Sequence, residues 1–275
     1  MKFAVCNETF QDWPLDRGFA FAAECGYTGI EIAPFTIATY ATDIPAGRRA
    51  EIRRQADGAG LEVVGLHWLL AKTEGFQLTS PEAAVRSRTA QYLGDLARLC
   101  ADLGGKIMVL GSPQQRNIAP GVSHQQACRY AREVLQAVTP VLEETDVVLA
   151  LEPLGPQETN FLLTAAEAVE LAQGVGSPHI RLHLDCKAMS TESTPIPELI
   201  RTYRRFLVHF HANDPNRQGP GFGQLDFLPI FQALGEADYR GWVSVEVFDY
   251  TPGVERLARE SLEYMQECLV RVAGG

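Results

Sequence analysis

The chain has few cysteines and no closely spaced pair of them. Its six cysteines are scattered along 275 residues without a Cys-x-x-Cys motif, and a chain of this length can bury a core without disulfides. We therefore expect free thiols in a reducing cytoplasm. No apolar run approaches the length that crosses a bilayer, and the first residues lack the apolar segment of a signal peptide. No membrane partner is expected.

Positive charge is also scarce. The chain has 24 Lys and Arg against 34 Asp and Glu, a formal net charge of −10, and no basic cluster. Binding to a phosphate backbone depends on neutralisation by Lys and Arg, so nucleic acid is not an expected partner. The overall composition, 46% hydrophobic and 21% charged, is that of an ordinary soluble globular protein.

Short apolar runs alternate with longer helical patterns along the whole chain. The predicted strands are residues 3–6, 29–33, 63–67, 107–110, 147–152, 181–185, 207–211 and 243–247. The predicted helices are residues 14–25, 45–59, 80–103, 123–144, 164–173, 196–203, 227–234 and 253–272. Strict alternation indicates parallel strands joined by helices, and eight such units in this length predict a single α/β domain, a (β/α)8 TIM barrel over residues 1–275.

A doubly wound open sheet is the alternative fold for the same alternation. That fold favours a glycine-rich phosphate-binding turn after the first strand, and residues 7–10, Asn-Glu-Thr-Phe, contain no glycine. The barrel is therefore preferred.

Four consecutive predicted strands carry a metal-ligand type of residue at their last or next-to-last position. These residues are Glu152, Asp185, His211 and Glu246, and they are separated by about one strand-helix unit. Residues two apart share a face of a strand, so each polar side chain is predicted to face the barrel while its apolar neighbours face the helices. All four should meet at the C-terminal rim, where barrels of this kind carry their active sites.

Three carboxylates in one closed space repel one another unless protons or a cation compensate. A single bound divalent metal ion is the simplest way to compensate this repulsion. Three oxygen donors, one imidazole and no thiolate favour Mn²⁺ or Mg²⁺, with Co²⁺ and Zn²⁺ as alternatives. The competing interpretation is that some of these residues pair with Arg or Lys in buried salt bridges.

Three further residues are candidates for substrate binding. Arg217 lies in a loop of Asn, Asp, Pro and Gly that follows the seventh strand, a setting suited to a polyhydroxylated or anionic ligand. Glu158 lies on the loop after the fifth strand. His67 ends the third strand and can contact a ligand from across the rim, with Trp68 as an apolar wall.

Three other polar residues are predicted to face the barrel interior. His183 and His209 each precede a proposed ligand by two residues and are expected to support the ligands or pack in the core. Glu31 points inward on the second strand, where an ion pair and a substrate contact are equally compatible with the pattern.

The segments around the four proposed ligands resemble a known family. LEPLGPQETNF, LHLDCKAM, HFHANDPNRQGPGFG and SVEVFDY are similar to the metal-binding segments of the xylose isomerase-like sugar phosphate isomerase/epimerase superfamily, the AP endonuclease family 2 barrel. The similarity is greatest to the branch of ketose 3-epimerases that includes D-tagatose 3-epimerase. It covers the whole chain and implies a TIM barrel that binds Mn²⁺ or a similar ion.

The resemblance also implies an activity and roles for individual residues. It implies a metal-dependent isomerase or epimerase of carbohydrate metabolism, acting on a small sugar, a sugar phosphate or a keto-sugar, in which Glu152 and Glu246 remove and return a proton next to a carbonyl. A metal-stabilised enediolate would form between the two transfers. Glu158 and Arg217 would hold the carbonyl end of the sugar, and a homodimer or tetramer is expected by analogy.

One position departs from the family pattern. Ala188 stands where these epimerases usually have a histidine. Lys187 beside it is a candidate for partial substitution, but its neighbouring position is expected to point its side chain elsewhere. This departure leaves a metal-dependent lyase that acts on keto-sugars or keto-glycosides by β-elimination as an alternative. An endonuclease IV-like phosphodiesterase is disfavoured by the acidic charge and the shortage of suitable histidines.

Overall fold

Eight parallel strands form a closed barrel in the computed structural model, which describes residues 1–274. In chain order the strands are β1 (Lys2–Cys6), β2 (Gly29–Ile32), β3 (Glu62–Leu66), β4 (Ile107–Leu110), β5 (Val148–Leu151), β6 (Ile180–Asp185), β7 (Leu207–Ala212) and β8 (Trp242–Val245). Each strand pairs with the next, and β8 pairs in parallel with β1 to close the barrel. The predicted (β/α)8 TIM barrel is confirmed.

Helices connect the strands. Within residues 1–274 the α-helices are α1 (Leu15–Cys25), α2 (Ala46–Ala59), α3 (Ala83–Leu103), α4 (His124–Thr145), α5 (Ala165–Val175), α6 (Cys186–Met189), α7 (Ile196–Tyr203), α8 (Leu228–Glu236) and α9 (Val254–Gly274). None of these described helices is both long enough and apolar enough to cross a bilayer. The four-residue α6 is absent from the sequence prediction, which has a single helix between the sixth and seventh strands.

Local sequence signals explain several boundaries. Helix α4 begins with a complete capping box, in which the Ser123 hydroxyl accepts from the backbone N–H of Gln126 and the Gln126 side chain accepts from the N–H of Ser123. Helix α3 ends at Gly104, whose φ of 91° is the left-handed conformation that glycine adopts without steric cost. These signals set where each crossover starts and stops.

Three strands that lead to candidate site residues end earlier than predicted, and so does β2, which ends at Ile32 against a predicted end at residue 33. β3 ends at Leu66, β5 at Leu151 and β8 at Val245, against predicted ends at residues 67, 152 and 247. The residues that follow, His67, Glu152 and Glu246, therefore begin the loops at the C-terminal rim. All three remain buried, and their backbone N–H groups still donate to carbonyl oxygens of the preceding strands.

Candidate metal centre and active site

The C-terminal rim brings the four predicted ligands together. Glu152 follows β5, Asp185 ends β6, His211 lies in β7 and Glu246 follows β8. One ligand atom from each lies within 4.8 Å of the others. The residues are nearly inaccessible to solvent, with exposures of 7%, 1%, 1% and 4%. The short distances between the ligand atoms, and a donor set of three carboxylates and one imidazole, fit a divalent cation that prefers oxygen ligands, such as Mn²⁺ or Mg²⁺.

Asp185 is fixed by hydrogen bonds from two directions. Its Oδ1 accepts from the backbone N–H of Ala188 at 2.7 Å, so the carboxylate also caps α6. Its Oδ2 accepts from the side-chain amide of Asn213 at 2.5 Å. The same amide uses its oxygen to accept from the backbone N–H of Lys187 at 2.8 Å. Asn213 thus ties β7 to the turn after β6 and orients the carboxylate.

Glu152 is held through its backbone by a buried arginine. Arg116 is 2% exposed and donates from Nη1 to the carbonyl oxygen of Glu152 at 2.7 Å and from Nη2 to that of Leu110 at 2.9 Å. The guanidinium therefore joins the ends of β4 and β5. A glycine at position 111 leaves room for the carboxylate, since a Cβ there would lie 1.6 Å from Oε2 of Glu152.

Glu246 has a polar partner on each carboxylate oxygen. The indole N–H of Trp68 donates to Oε1 at 2.8 Å, and Nδ1 of His211 lies 3.0 Å from Oε2. The other ring nitrogen of His211, Nε2, lies 3.2 Å from both oxygens of Glu31. Glu246 and His211 are therefore oriented together.

The pKa values of the clustered carboxyl groups indicate that these groups lack a compensating positive charge. Burial, followed by the charges of Asp185 and Glu246, raises the pKa of Glu152 to about 8. Burial and the charge of Glu246 raise the pKa of Asp185 to about 6. Burial also opposes ionisation of Glu246, but the adjacent His211 outweighs it and lowers the pKa of that carboxyl. A bound dication would compensate the repulsion among the three carboxylates.

Two further pairs of a glutamate and a histidine adjoin the four residues. Nε2 of His209 lies 2.7 Å from Oε2 of Glu31, and Nε2 of His67 lies 2.7 Å from Oε2 of Glu8. The inward orientation predicted for Glu31 is confirmed, and its contacts are to histidines. His183 is fully buried, and neither ring nitrogen has a hydrogen-bond partner among the described residues. Sequence reasoning did not identify Glu8, although it follows the first strand at the same rim.

A pocket of about 440 Å³ opens above the cluster. It is lined by His67, Trp68, Gly111, Ser112, Pro113, Glu152, Leu154, Gln157, Glu158, Lys187, His211, Pro215, Arg217, Glu246 and Phe248. The three residues predicted to bind substrate, His67, Glu158 and Arg217, are all among them. Such a pocket, part apolar and part polar, is typical of a small-molecule site.

Lys187 is the clearest error of orientation in the sequence prediction. Its side chain lines the pocket, and Nζ lies 2.9 Å from both carboxylate oxygens of Glu158. The reason is α6, whose turn begins directly after Asp185 and carries Lys187 over the rim. A four-residue helix gives no periodic signal in the sequence, so this orientation is not predictable from the pattern.

Arg217 is presented by an unusual backbone. Its φ is 74°, and its carbonyl oxygen accepts from the N–H groups of Phe248 and Asp249 at 2.8 and 2.9 Å. These bonds join the loop after β7 to the loop after β8. Among the described residues the guanidinium has no carboxylate within salt-bridge distance, so it is available to a ligand.

Comparisons with known proteins show the family of this chain. The model of the xylose isomerase-like TIM barrel matches residues 19–268. A D-psicose 3-epimerase of Ruminiclostridium cellulolyticum is 26% identical over 242 residues, which are 86% of this chain and 80% of that protein. A D-psicose 3-epimerase of Enterocloster bolteae is 36% identical over 114 residues, which are 42% of this chain and 38% of that protein.

A solved structure shares the fold over nearly the whole chain. The crystal structure of a D-psicose 3-epimerase in the presence of D-fructose superposes with a TM-score of 0.86 at 22% identity, covering 98% of this chain and 99% of the other. The family resemblance that was predicted from four short segments is confirmed. The chain belongs to the xylose isomerase-like TIM barrel family.

Proposed function

We propose that this protein is a metal-dependent sugar epimerase or isomerase that moves a proton at the carbon next to a carbonyl. The observation that carries the proposal is that Glu152, directly after β5, and Glu246, directly after β8, line one pocket together with His211. The names of the sequence relatives support a ketose as substrate and place the activity in the isomerase class.

The two glutamates have the chemistry of a proton acceptor and a proton donor. One removes the proton from the carbon beside the carbonyl, and the other returns a proton to the opposite face of the planar enediolate, which inverts the centre. Return of the proton to the adjacent carbon instead converts a ketose to an aldose. Inversion needs two carboxyl groups on opposite faces of one carbon, whereas isomerisation can use one of them to move the proton to the adjacent carbon.

We propose Glu152, Asp185, His211 and Glu246 as the ligands of the metal, with Mn²⁺ as the preferred ion. The ion would supply a Lewis acid that stabilises the negative charge which develops on the sugar oxygens. Asn213 holds the Asp185 carboxylate in place by a direct hydrogen bond, and Trp68 holds that of Glu246.

The polar pocket wall would hold the sugar. Glu158 accepts hydrogen bonds from hydroxyl groups, while Lys187 and Arg217 donate to hydroxyl and carbonyl oxygens. His67, braced by Glu8, approaches from the opposite side. The ion pair between Lys187 and Glu158 places a hydrogen-bond donor beside an acceptor. This arrangement suits two neighbouring sugar hydroxyl groups, one accepting from Lys187 and the other donating to Glu158.

A lyase acting on keto-sugars or keto-glycosides by β-elimination is the second candidate. The observation that favours it is Ala188, which offers no side-chain donor to the substrate and contributes only its backbone N–H to Asp185. The same proton abstraction would then be followed by loss of a substituent from the next carbon. Product analysis separates the two outcomes, because only elimination releases an alcohol or a water molecule.

The test is a panel of sugars incubated with the Mn²⁺-loaded protein in D₂O. We expect a ketose such as D-psicose to be converted to its C3 epimer with one deuterium at the carbon next to the carbonyl, as observed by NMR. Glu246→Gln, prepared in parallel, should show neither conversion nor deuterium. Absence of deuterium from every ketose and keto-glycoside tested with the Mn²⁺-loaded wild type would refute the proposal.

A further inference from the structure

Trp68 has an unusual backbone and an unusual exposure. Its φ is 53°, a left-handed conformation that is rare for a bulky residue and is often found at functional sites. Its side chain is 37% exposed, and Val270 is the one other large apolar side chain among the described residues that is exposed. A strained backbone that holds an indole at the mouth of a pocket calls for a reason beyond packing.

The contact with Glu246 supplies that reason. The indole N–H donates to Oε1 of Glu246 at 2.8 Å, while Oε2 is already engaged by His211. A carboxylate with one partner on each oxygen cannot rotate about its last bond without losing a charge-assisted hydrogen bond. The conformation of Trp68 thus determines the plane of the Glu246 carboxylate.

The ring itself is supported from two sides. Its centroid lies 5.9 Å from that of Phe35 in an edge-to-face arrangement and 6.0 Å from that of Phe248 in a tilted one. Lys72 in turn lies over the ring of Phe35, with Nζ 4.2 Å from its centroid. The indole is therefore held on both sides and cannot swing freely away from Glu246.

We propose that Trp68 is a positioning residue that fixes the orientation of the Glu246 carboxylate through its indole N–H. The position of the carboxylate is a property of the protein alone. Its consequence for turnover rests on the proposed function, in which Glu246 exchanges a proton with the sugar. A carboxylate that has rotated out of this orientation is misaligned with the carbon atom whose proton it transfers.

The first experiment needs neither a substrate nor a metal. The chain has three tryptophans, so its ¹⁵N-labelled form gives three indole N–H signals in an NMR spectrum. The signal that is missing from Trp68→Phe identifies Trp68. We expect that signal to lie downfield, to exchange slowly with water despite the exposure of the ring, and to move upfield in Glu246→Gln, where the acceptor loses its charge. A Trp68 signal with the same position and exchange rate in both proteins would overturn the proposal.

The second experiment separates positioning from a general loss of structure. Trp68→Phe keeps an aromatic ring beside Phe248 and removes the N–H together with one of the two fused rings. We expect its kcat on D-psicose to fall about tenfold, a loss of ~1.4 kcal/mol, while KM changes by less than about twofold. The matched control is Trp242→Phe, at the start of β8 and the opposite end of the barrel, which should leave both constants unchanged. An unchanged kcat in Trp68→Phe, or an effect on KM alone, would count against positioning.

The two experiments also distinguish failure of this inference from failure of the proposed function. If no sugar is turned over but the indole signal responds to Glu246→Gln as expected, the positioning contact stands and the activity is wrong. If sugars are turned over but the signal does not respond, the activity stands and the role of Trp68 is wrong.

Discussion

Replacement of Glu152 by glutamine should abolish turnover and at the same time stabilise the metal-free protein at alkaline pH. The side chain is 7% exposed, and burial together with the charges of Asp185 and Glu246 raises its pKa to about 8. The folded protein therefore prefers the neutral carboxyl group. Glutamine has nearly the same shape as that neutral form and cannot ionise.

The sign follows from proton linkage. Because the folded-state pKa of Glu152 lies above its ordinary value of 4.5, the stability that this group contributes is fully present below pH 4.5 and is lost as pH rises through about 8. The difference between the two pKa values corresponds to at most on the order of 5 kcal/mol. Each kcal/mol recovered by glutamine would raise Tm by about 2–4 °C in a domain of roughly this size.

Thermal unfolding in EDTA at pH 4.5 and at pH 8.5 provides the assay. We expect Glu152→Gln to melt several degrees above the wild type at pH 8.5 and together with it at pH 4.5. Glu74→Gln, a change at an exposed glutamate, is the matched control and should melt with the wild type at both values. In the Mn²⁺-loaded form, deuterium incorporation into a ketose should fall by about 10²–10⁴-fold. A Glu152→Gln protein that is less stable than the wild type at pH 8.5 in EDTA would refute the electrostatic reasoning.

Three further outcomes follow from the same contacts. Glu152 has a pKa raised to about 8, so a cation must displace its proton in order to bind. The Mn²⁺ affinity measured by calorimetry should therefore fall up to about 100-fold from pH 8 to pH 6. Equal affinity at the two pH values would contradict this. Lys187→Met removes the ammonium group that contacts both carboxylate oxygens of Glu158. It should raise KM for a ketose at least about tenfold and leave Tm nearly constant. An unchanged KM would show that Lys187 does not bind the substrate. Arg116→Met leaves the carbonyl group of Glu152 without a donor and that of Leu110 with only the backbone N–H of Glu152, so it should cost about 2–5 kcal/mol in urea unfolding. A loss below about 1 kcal/mol would show that water replaces the guanidinium.

The four proposed ligands were predictable because their positions depend on only two regularities. Side chains alternate across a strand, and parallel strands in a barrel end at the same rim. Glu152, Asp185, His211 and Glu246 follow or end consecutive strands, so an error of one residue in a strand boundary does not move them off the rim. The structure places their ligand atoms within 4.8 Å of one another for this reason.

The partners of these residues were not predictable in the same way. Trp68 was expected to be an apolar wall, and its hydrogen bond to Glu246 depends on a left-handed φ that no local sequence pattern indicates. Lys187 was expected to point away from the site, and it reaches the pocket because Asp185 starts a new helix immediately. Side-chain contacts between distant parts of the chain depend on the packing of loops, which has no periodic signal in the sequence.

The central claim is that three carboxylates and one imidazole at the rim bind a single divalent ion. The most direct measurement is anomalous X-ray scattering at the manganese edge from crystals grown with Mn²⁺. We expect one strong peak within bonding distance of Glu152, Asp185, His211 and Glu246, and its loss in crystals of Asp185→Asn. A peak elsewhere, or none at the rim at saturating Mn²⁺, would contradict it.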